Sequence, residues 1–469
     1  MSSLLSVYHR LPGPLREAAA TTRGYYLRSW RYGRETEALV RQALEREHWG
    51  ADDWARWRTE RLAFLLRRAA SDVPFYRDLW QRRRRAGNQA SVEYLENWPV
   101  LAKEAVRARP RAFVADDCNP ARMFPEHTSG TTGTPLNLWQ TRSTVRAWYA
   151  VVEARLRRWN GVSRRDRWAV FGGQLVIPAS QSRPPFWVWN AGLRQLYLSA
   201  YHLSPATIGA YADVLRDYRV QYALGYPSAL HAVAVLAREA GIPLPQLRVT
   251  IGNAEPVLAT QREEIAKGFG CPMRETYGMA EVVAAASDCG HGRLHTWPEV
   301  GLVEVLEDAS DAAAAGIGRL VCTGLINADM PLIRYAVGDR GRLAPAGAQV
   351  CGCGRTLPIL EEIDGRSDDV VVTPDGRRIG RFDPVFKADF PIREAQIVQE
   401  APDRLLVRVV PAAGFSERTA AELAERLRMR TGSAMTISVE QVKLIPRTAA
   451  GKFRAVIGLA AATRTRSGP

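Results

Sequence analysis

The chain's 469 residues exceed what a single hydrophobic core usually serves, so two or more domains are expected. Its 46% apolar and 24% charged residues are the composition of a globular protein, and no apolar run is long enough for a transmembrane helix; together with an N-terminus that lacks an apolar leader core, this gives a cytoplasmic expectation. The formal charge of +15 admits nucleic acid or an anionic surface, but neither a nucleic-acid motif nor regular aromatic interleaving accompanies it, so solvated arginine-rich helix faces account for the excess and no nucleic acid is expected as partner.

Residues 1–110 read mainly as helix. In ADDWARWRTERLAFLLRRAA, Trp54, Trp57, Leu62, Leu65, Leu66 and Ala69 recur at helical spacing and predict a packing face, and Pro74 restarts the pattern. From about 120 to 345, β-rich runs at 168–171, 222–224, 247–251, 302–306 and 318–322 alternate with helical stretches at 141–159, 205–217, 227–240 and 258–269. Such alternation predicts a sheet covered by helices. After Ile363 the Gly- and Asp-rich stretch GRSDDVVVTPDGRR marks a junction. A helix at 416–431 between strands at 404–410 and 435–439 then predicts a small α+β domain, giving boundaries of 1–364 and 365–469.

The loops between these elements carry the unusual chemistry. EHTSGTTGTP, residues 126–135, crowds hydroxyls and glycines into one turn, where backbone N–H groups can converge on phosphate oxygens. It lacks the Gly-Lys-Ser/Thr ending of a mononucleotide P-loop. ETYGMAE, residues 275–281, sets an aromatic ring beside a glycine and a carboxylate four residues on, a pairing suited to a purine and a magnesium ion. Asp339 in RYAVGDRG can accept from both ribose hydroxyls, GRSDD sits at the domain junction, and PRTAAGKFR places Lys452 on a glycine-preceded loop. Each alone is compatible with an ordinary turn or strand end.

Taken together and in this order, the five segments resemble those of the adenylate-forming superfamily, which comprises acyl-CoA synthetases, peptide-synthetase adenylation domains and luciferases. HTSGTTGTP, GYPSAL and LIRYAVGD are most similar to the phenylacetate–CoA ligase and CapK-like branch, over roughly residues 60–460. The resemblance implies a large layered α/β domain with a small α+β C-terminal domain. It also implies a two-step reaction: a carboxylate attacks the α-phosphorus of ATP to give an acyl-adenylate and pyrophosphate, and a thiol, typically of CoA, then displaces AMP. By motif position, Thr128, Ser129, Thr131 and Thr132, on a turn freed by Gly130 and Gly133, are implied to bind the phosphates. Tyr277 is implied to lie on adenine, with Glu255 and Gly278 also on the nucleotide, and Glu281 to hold Mg²⁺. Asp339 is assigned the ribose, Arg366 its orientation, Asp368 the hinge and Lys452 the carboxylate and α-phosphate. Many members have Lys where this chain has Thr134, so one cation near the pyrophosphate is missing.

Two expectations remain. The six cysteines are too scattered for a disulfide scaffold, but Cys289, Cys351 and Cys353 with one imidazole match a closed tetrahedral zinc site. His291 or His295 supplies the nitrogen, and the branch pattern favours His295. The acid pocket is expected between the helix after the phosphate loop and the turn 251–256, with Phe171, Tyr226 and Asn253 as walls. Its ligand is a small carboxylic acid of aryl, fatty or sugar-derived type, and the acceptor is CoA or, in an adenylyltransferase or amide-forming ligase of the CapK-like kind, another nucleophile. A homodimer is compatible with the sequence.

Overall fold

The computed structural model describes residues 7–128, 136–174, 176–178, 180–306, 316–345, 351–366, 371–374, 378–379, 382, 390–448 and 453–459. The N-terminal region is helical and includes α1 (Gly13–Arg31), α2 (Thr36–Arg46), α3 (Ala51–Asp72) and α4 (Pro74–Arg85). On α3 the predicted face is the packed one, with Leu65, Leu66 and Ala69 fully buried and Trp57 and Leu62 at the margin. Full burial of each such leucine contributes about 1.5–3 kcal/mol. A short helix α5 (Lys103–Ala108) then leads into the antiparallel ribbon β1 (Phe124–His127) and β2 (Asn137–Gln140).

The central sheet has eight strands in the order β10-β9-β8-β7-β6-β3-β5-β4. Its strands are β3 (Trp168–Gly172), β4 (Trp187–Asn190), β5 (Gln195–Ser199), β6 (Tyr222–Gly225), β7 (Val249–Gly252), β8 (Met273–Gly278), β9 (Ala285–Asp288) and β10 (Leu294–Thr296). The run β8-β7-β6-β3-β5 is parallel, with antiparallel strands at both edges. Alternation along β3 sends Ala169 and Phe171 to one face and Trp168 and Val170 to the other. The first face packs on α7 (Ile208–Asp217), α8 (Pro227–Glu239) and α9 (Ala259–Phe269). The second packs on α2 and on α6 (Arg142–Val151), which continues through a π-helical turn, Val152–Arg157. There Arg155 is fully buried and forks onto Glu299, two bonds of 2.6 Å that satisfy both charges.

An antiparallel sheet of β11 (Gly301–Leu306), β12 (Gly318–Gly324), β13 (Tyr335–Leu343) and β14 (Leu360–Arg366) follows. After the two-residue strands β15 (Val371–Val372) and β16 (Arg378–Ile379) comes a separate sheet with its own core. It is ordered β19-β18-β17-β20, from β17 (Ile392–Ala401), β18 (Arg404–Pro411), β19 (Thr436–Gln441) and β20 (Val456–Ile457), and is covered by α10 (Glu417–Thr431). The layered α/β body and small α+β unit match the expected fold class. Among the described residues no helix is long and apolar enough to cross a membrane.

Candidate active site

The chain enters the central sheet at β3, adds β5 on one side and β6 on the other, and so creates a strand-order reversal. Ligands of open α/β sheets bind in the crevice beyond the carboxyl ends of strands at such a point. Here a cleft of about 1930 Å³ opens beside it, ample for a nucleotide together with an acid. Gly225 ends β6 with its backbone against β3: a Cβ there would lie 2.6 Å from the Phe171 carbonyl oxygen. Tyr226 and the segment Asn253–Glu255, which follow β6 and β7, line the cleft.

On one side stand the nucleotide candidates. The ribbon β1–β2 pairs His127 with Asn137 at its tip, so the predicted phosphate loop is the connection between these strands. At its base Thr128 Oγ1 accepts from the Leu136 N–H at 3.0 Å, which leaves the hydroxyl proton available to a phosphate oxygen. Ser129, Gly130, Thr131, Thr132 and Gly133 lie outside the described residues, as do Asp368 and Lys452. From β8, Tyr277 donates its hydroxyl to Asp339 Oδ2 at 2.8 Å. Burial, reinforced by the Asp339 carboxylate, pushes the Tyr277 phenol well above its ordinary value, so it remains the donor. The register of β13 on β14 sets the Arg366 backbone opposite Asp339. Glu281, nearly buried, accepts on one oxygen from Tyr335 at 3.0 Å and from Lys103 Nζ at 3.3 Å. Lys103 opens α5, within the stretch expected to be mainly helical, but the sequence motifs do not single it out. Its signal was rarity, since this basic chain has only five lysines.

On the other side lies an aromatic slot. Trp148 of α6 and Trp297 line the cleft with ring centroids 5.6 Å apart, joined by Leu224, Val152 and Tyr226. Gly278 opens toward this pair, and a Cβ there would stand 4.0 Å from the Trp148 ring. Phe171, expected as a wall, is absent from the lining: strand alternation drives its ring into the fully buried core on the sheet's other face. Asn253 does line the cleft, and its Oδ1 is shielded without a hydrogen-bond partner among the described residues, an acceptor open to a ligand's N–H or O–H. His127, on β1, is solvent-exposed and faces the cleft.

Glu255 connects this body to the small unit. Its Oε2 accepts from the Ser228 N–H at 3.1 Å and its Oε1 from the Phe453 N–H at 2.6 Å. Burial raises its pKa above the ordinary carboxylate range despite these bonds and the nearby Arg447.

Beyond β9 the structure gathers Cys289, His295, Cys351 and Cys353, whose ligand atoms all lie within 4.8 Å of one another. Cys289 Sγ is 3.6 Å from Cys351 Sγ, and Cys353 Sγ is 3.4 Å from His295 Nε2. A tetrahedral ion with bonds of about 2.3 Å to sulfur and 2.0–2.1 Å to nitrogen separates such pairs by roughly 3.5–3.8 Å. The donor set therefore fits a closed four-coordinate cation. His295 Nδ1 lies 3.0 Å from the Leu357 carbonyl, which fixes the proton there and turns Nε2 toward the thiols. His291 instead packs on Gly352, outside this set. At Cys353 burial pushes the thiol up, but hydrogen bonds from the Arg355 backbone and guanidinium outweigh it and the net shift is downward, toward thiolate.

Comparison with known proteins agrees with this geometry. The sequence profile of the AMP-binding enzyme family matches residues 54–349. The chain belongs to that family. In this AMP-binding enzyme the profile of the CapK C-terminal domain also matches residues 371–458. Protein CapK of Staphylococcus aureus is 23% identical over 396 residues, which cover 82% of this chain and 84% of CapK. The phenylacetate-coenzyme A ligase of Escherichia coli K12 is 26% identical over 340 residues, 68% of this chain and 73% of the ligase. These similarities set the AMP-binding enzyme in the phenylacetate–CoA ligase and CapK-like branch. Among solved structures, 2-hydroxyisobutyryl-CoA ligase in its postadenylation state has a TM-score of 0.66 at 21% identity, over 90% of this chain and 93% of the ligase. That likeness is one of fold.

Proposed function

We propose that this AMP-binding enzyme activates a carboxylic acid as its acyl-adenylate and then passes the acyl group to the thiol of CoA. In the first step a carboxylate oxygen bonds to the α-phosphorus of ATP and the bond to the bridging oxygen breaks, releasing pyrophosphate. In the second the thiol sulfur bonds to the acyl carbon, the acyl–phosphate bond breaks, AMP leaves and the thiol proton is released. The observation that carries this reading is convergence: Thr128, Tyr277, Glu281 and Asp339 line one cleft, and Phe453, the residue after Lys452, stands at its edge.

The attack brings an anion against a polyanion, so positioning and cations must do the work. Lys452 bridges the acid carboxylate and the α-phosphate. Asp339, steadied by the Tyr277 hydroxyl, receives the ribose, and Thr128 with the loop after it holds the leaving pyrophosphate. Glu281 holds Mg²⁺, which when bound neutralises phosphate charge. The slot of Trp148, Trp297 and Gly278 supports an aryl or arylacetic acid. Cys289, His295, Cys351 and Cys353 hold a structural Zn²⁺. The small unit, residues 365–469, turns between the two steps and carries Lys452 away from the adenylate.

The matching CapK C-terminal profile favours one second reading, an adenylyltransferase or amide-forming ligase in which a hydroxyl or amine replaces CoA. Acid-dependent exchange of labelled pyrophosphate into ATP, over a panel of aryl, arylacetic, fatty and sugar-derived acids, tests the adenylation step. Exchange without any acid would sink the ligase reading, and product formation with acid but without CoA would select the second. Lys452→Ala is expected to lower acid-dependent exchange by about 10²–10³-fold with ATP binding retained.

A further inference from the structure

Glu255 lies where the two sheet systems meet. It is only 9% exposed, and each carboxylate oxygen already holds a backbone N–H. One donor, Ser228, is in the first turn of α8, at the end of the central sheet. The other, Phe453, belongs to the small unit and directly follows Lys452 in the chain. On its own side this segment is held equally firmly. Gln396 donates to the Arg454 carbonyl at 2.8 Å, Ile397 pairs with Val456 in the β17–β20 ladder, and the Arg447 guanidinium sits 4.7 Å from the centre of the Phe453 ring. Residues 453–456 are therefore gripped by the small sheet on one side and by Glu255 on the other.

An ion pair between the two bodies, Arg393 to Glu239 at 2.9 Å, is partly exposed on both partners and contributes little. The Glu255 contact differs in kind. It is short, charge-assisted and shielded, and losing the carboxylate would leave two N–H groups without their acceptor. Motif resemblance assigned Glu255 to the nucleotide; in the structure its oxygens serve the joint between domains.

We infer that Glu255 is a positioning residue: it clips the chain beside Lys452 to the large domain for adenylation, and the Phe453 N–H must leave it before acyl transfer. This rests on the roles proposed above for Lys452 and the turning of the small unit. It predicts an asymmetry. The clip serves the first half-reaction and is already undone in the second.

Hydrogen–deuterium exchange on the full-length protein, without any ligand, reads the bond directly. In wild type the amide of Phe453 is protected. In Glu255→Ala its exchange rises at least about tenfold, in Glu255→Gln it rises less because the amide oxygen still accepts, and in Glu239→Ala it is unchanged. With an acid that supports pyrophosphate exchange in wild type, Glu255→Ala lowers the adenylation kcat by about tenfold or more and leaves the ATP KM within about twofold. Acyl transfer from preformed acyl-adenylate stays near wild type, and Glu255→Gln recovers most of the loss. Unchanged protection at Phe453 would overturn the inference. So would a raised ATP KM at constant kcat, the mark of a nucleotide ligand, or equal slowing of both half-reactions, the mark of a merely structural residue. If Glu255→Ala does not fold, Glu255→Gln carries the same comparisons. Acid-independent exchange by the wild type would defeat the ligase reading, whereas the Phe453 amide judges the clip by itself.

Discussion

Glu281 shares one carboxylate oxygen between the Tyr335 hydroxyl and the Lys103 ammonium, so a cation already faces the position proposed for Mg²⁺. Burial, helped by the adjacent Glu281 charge, drives the Tyr335 phenol far above its ordinary value, so it donates and never competes as an anion. Lys103 stands in the same cleft as Thr128, at the base of a loop whose Thr134 takes the place of a lysine. Lys103, on α5 and outside the motif, is thus the candidate for the cation that the loop lacks. Removing it should weaken the hold on the leaving group while preserving the length of the side chain's packing contact. Lys103→Met is expected to lower pyrophosphate exchange by about 10- to 100-fold, with the ATP KM and the Mg²⁺ requirement both raised. Exchange within twofold of wild type would show that Lys103 only neutralises Glu281 in the resting protein.

At the scale of elements, the slot proposed for the acid lies where β8 ends against α6. Gly278 lies outside the left-handed backbone region, so its glycine answers to space rather than to conformation. A Cβ would meet Ala285 Cβ at 3.8 Å and Trp148 at 4.0 Å, ordinary contacts, but further carbons would enter the slot. Gly278→Ala should be tolerated. Gly278→Val should raise the KM for the acid at least about tenfold while leaving the ATP KM within twofold; steady-state kinetics on both substrates check this, and an equal rise in the two would move the slot elsewhere. The same elements show what sequence could and could not convey. The strand runs predicted between 120 and 345 each overlap an observed strand, because short β-rich stretches alternating with helical periodicity constrain the layering strongly. Phe171 failed as a wall since a buried parallel strand is apolar on both faces, and nothing in WAVFG says which face meets the cleft. The stretch predicted as one helix over 141–159 turns π-helical at Val152, where Glu153, Arg155 and Arg157 are buried with their partners, a tertiary arrangement invisible to periodicity. Trp297 and Lys103 were missed for the related reason that each reaches the site from a segment with no motif of its own.

For the molecule as a whole, the Cys/His cluster bears on the active site through the two sheets it joins. Cys289 and His295 belong to the β9–β10 edge of the central sheet, and His295 bridges to Ile359 just before β14. The segment 351–356 that carries the other two thiols also reaches the N-terminal helices. Arg355 stacks 4.0 Å over Trp159 and pairs with Glu47, Trp159 donates to Glu47 at 2.6 Å, and Thr356 donates to the Trp49 carbonyl at 2.7 Å. A cation held at this knot would fix β9–β10 against β13–β14. Those are the sheets whose neighbouring strands present Tyr277 and Asp339 to each other across 2.8 Å. Loss of the cation would leave thiols crowded without a partner and free the angle between the sheets, so stability and nucleotide binding should fall together. Cys351→Ser, or exhaustive chelation of the wild type, is expected to remove one equivalent of zinc per chain and to lower Tm by about 5 °C or more. The ATP KM should rise several-fold while the KM for the acid, whose slot lies toward α6, changes less. Cys118→Ser, a thiol remote from the cluster, should alter none of these. Elemental analysis, thermal unfolding and exchange kinetics on the three proteins decide it. A wild type purified without metal, or a Cys351→Ser variant with unchanged Tm, would reduce the cluster to three free thiols beside a buried imidazole. A fall in Tm with an unchanged ATP KM would confine its effect to stability.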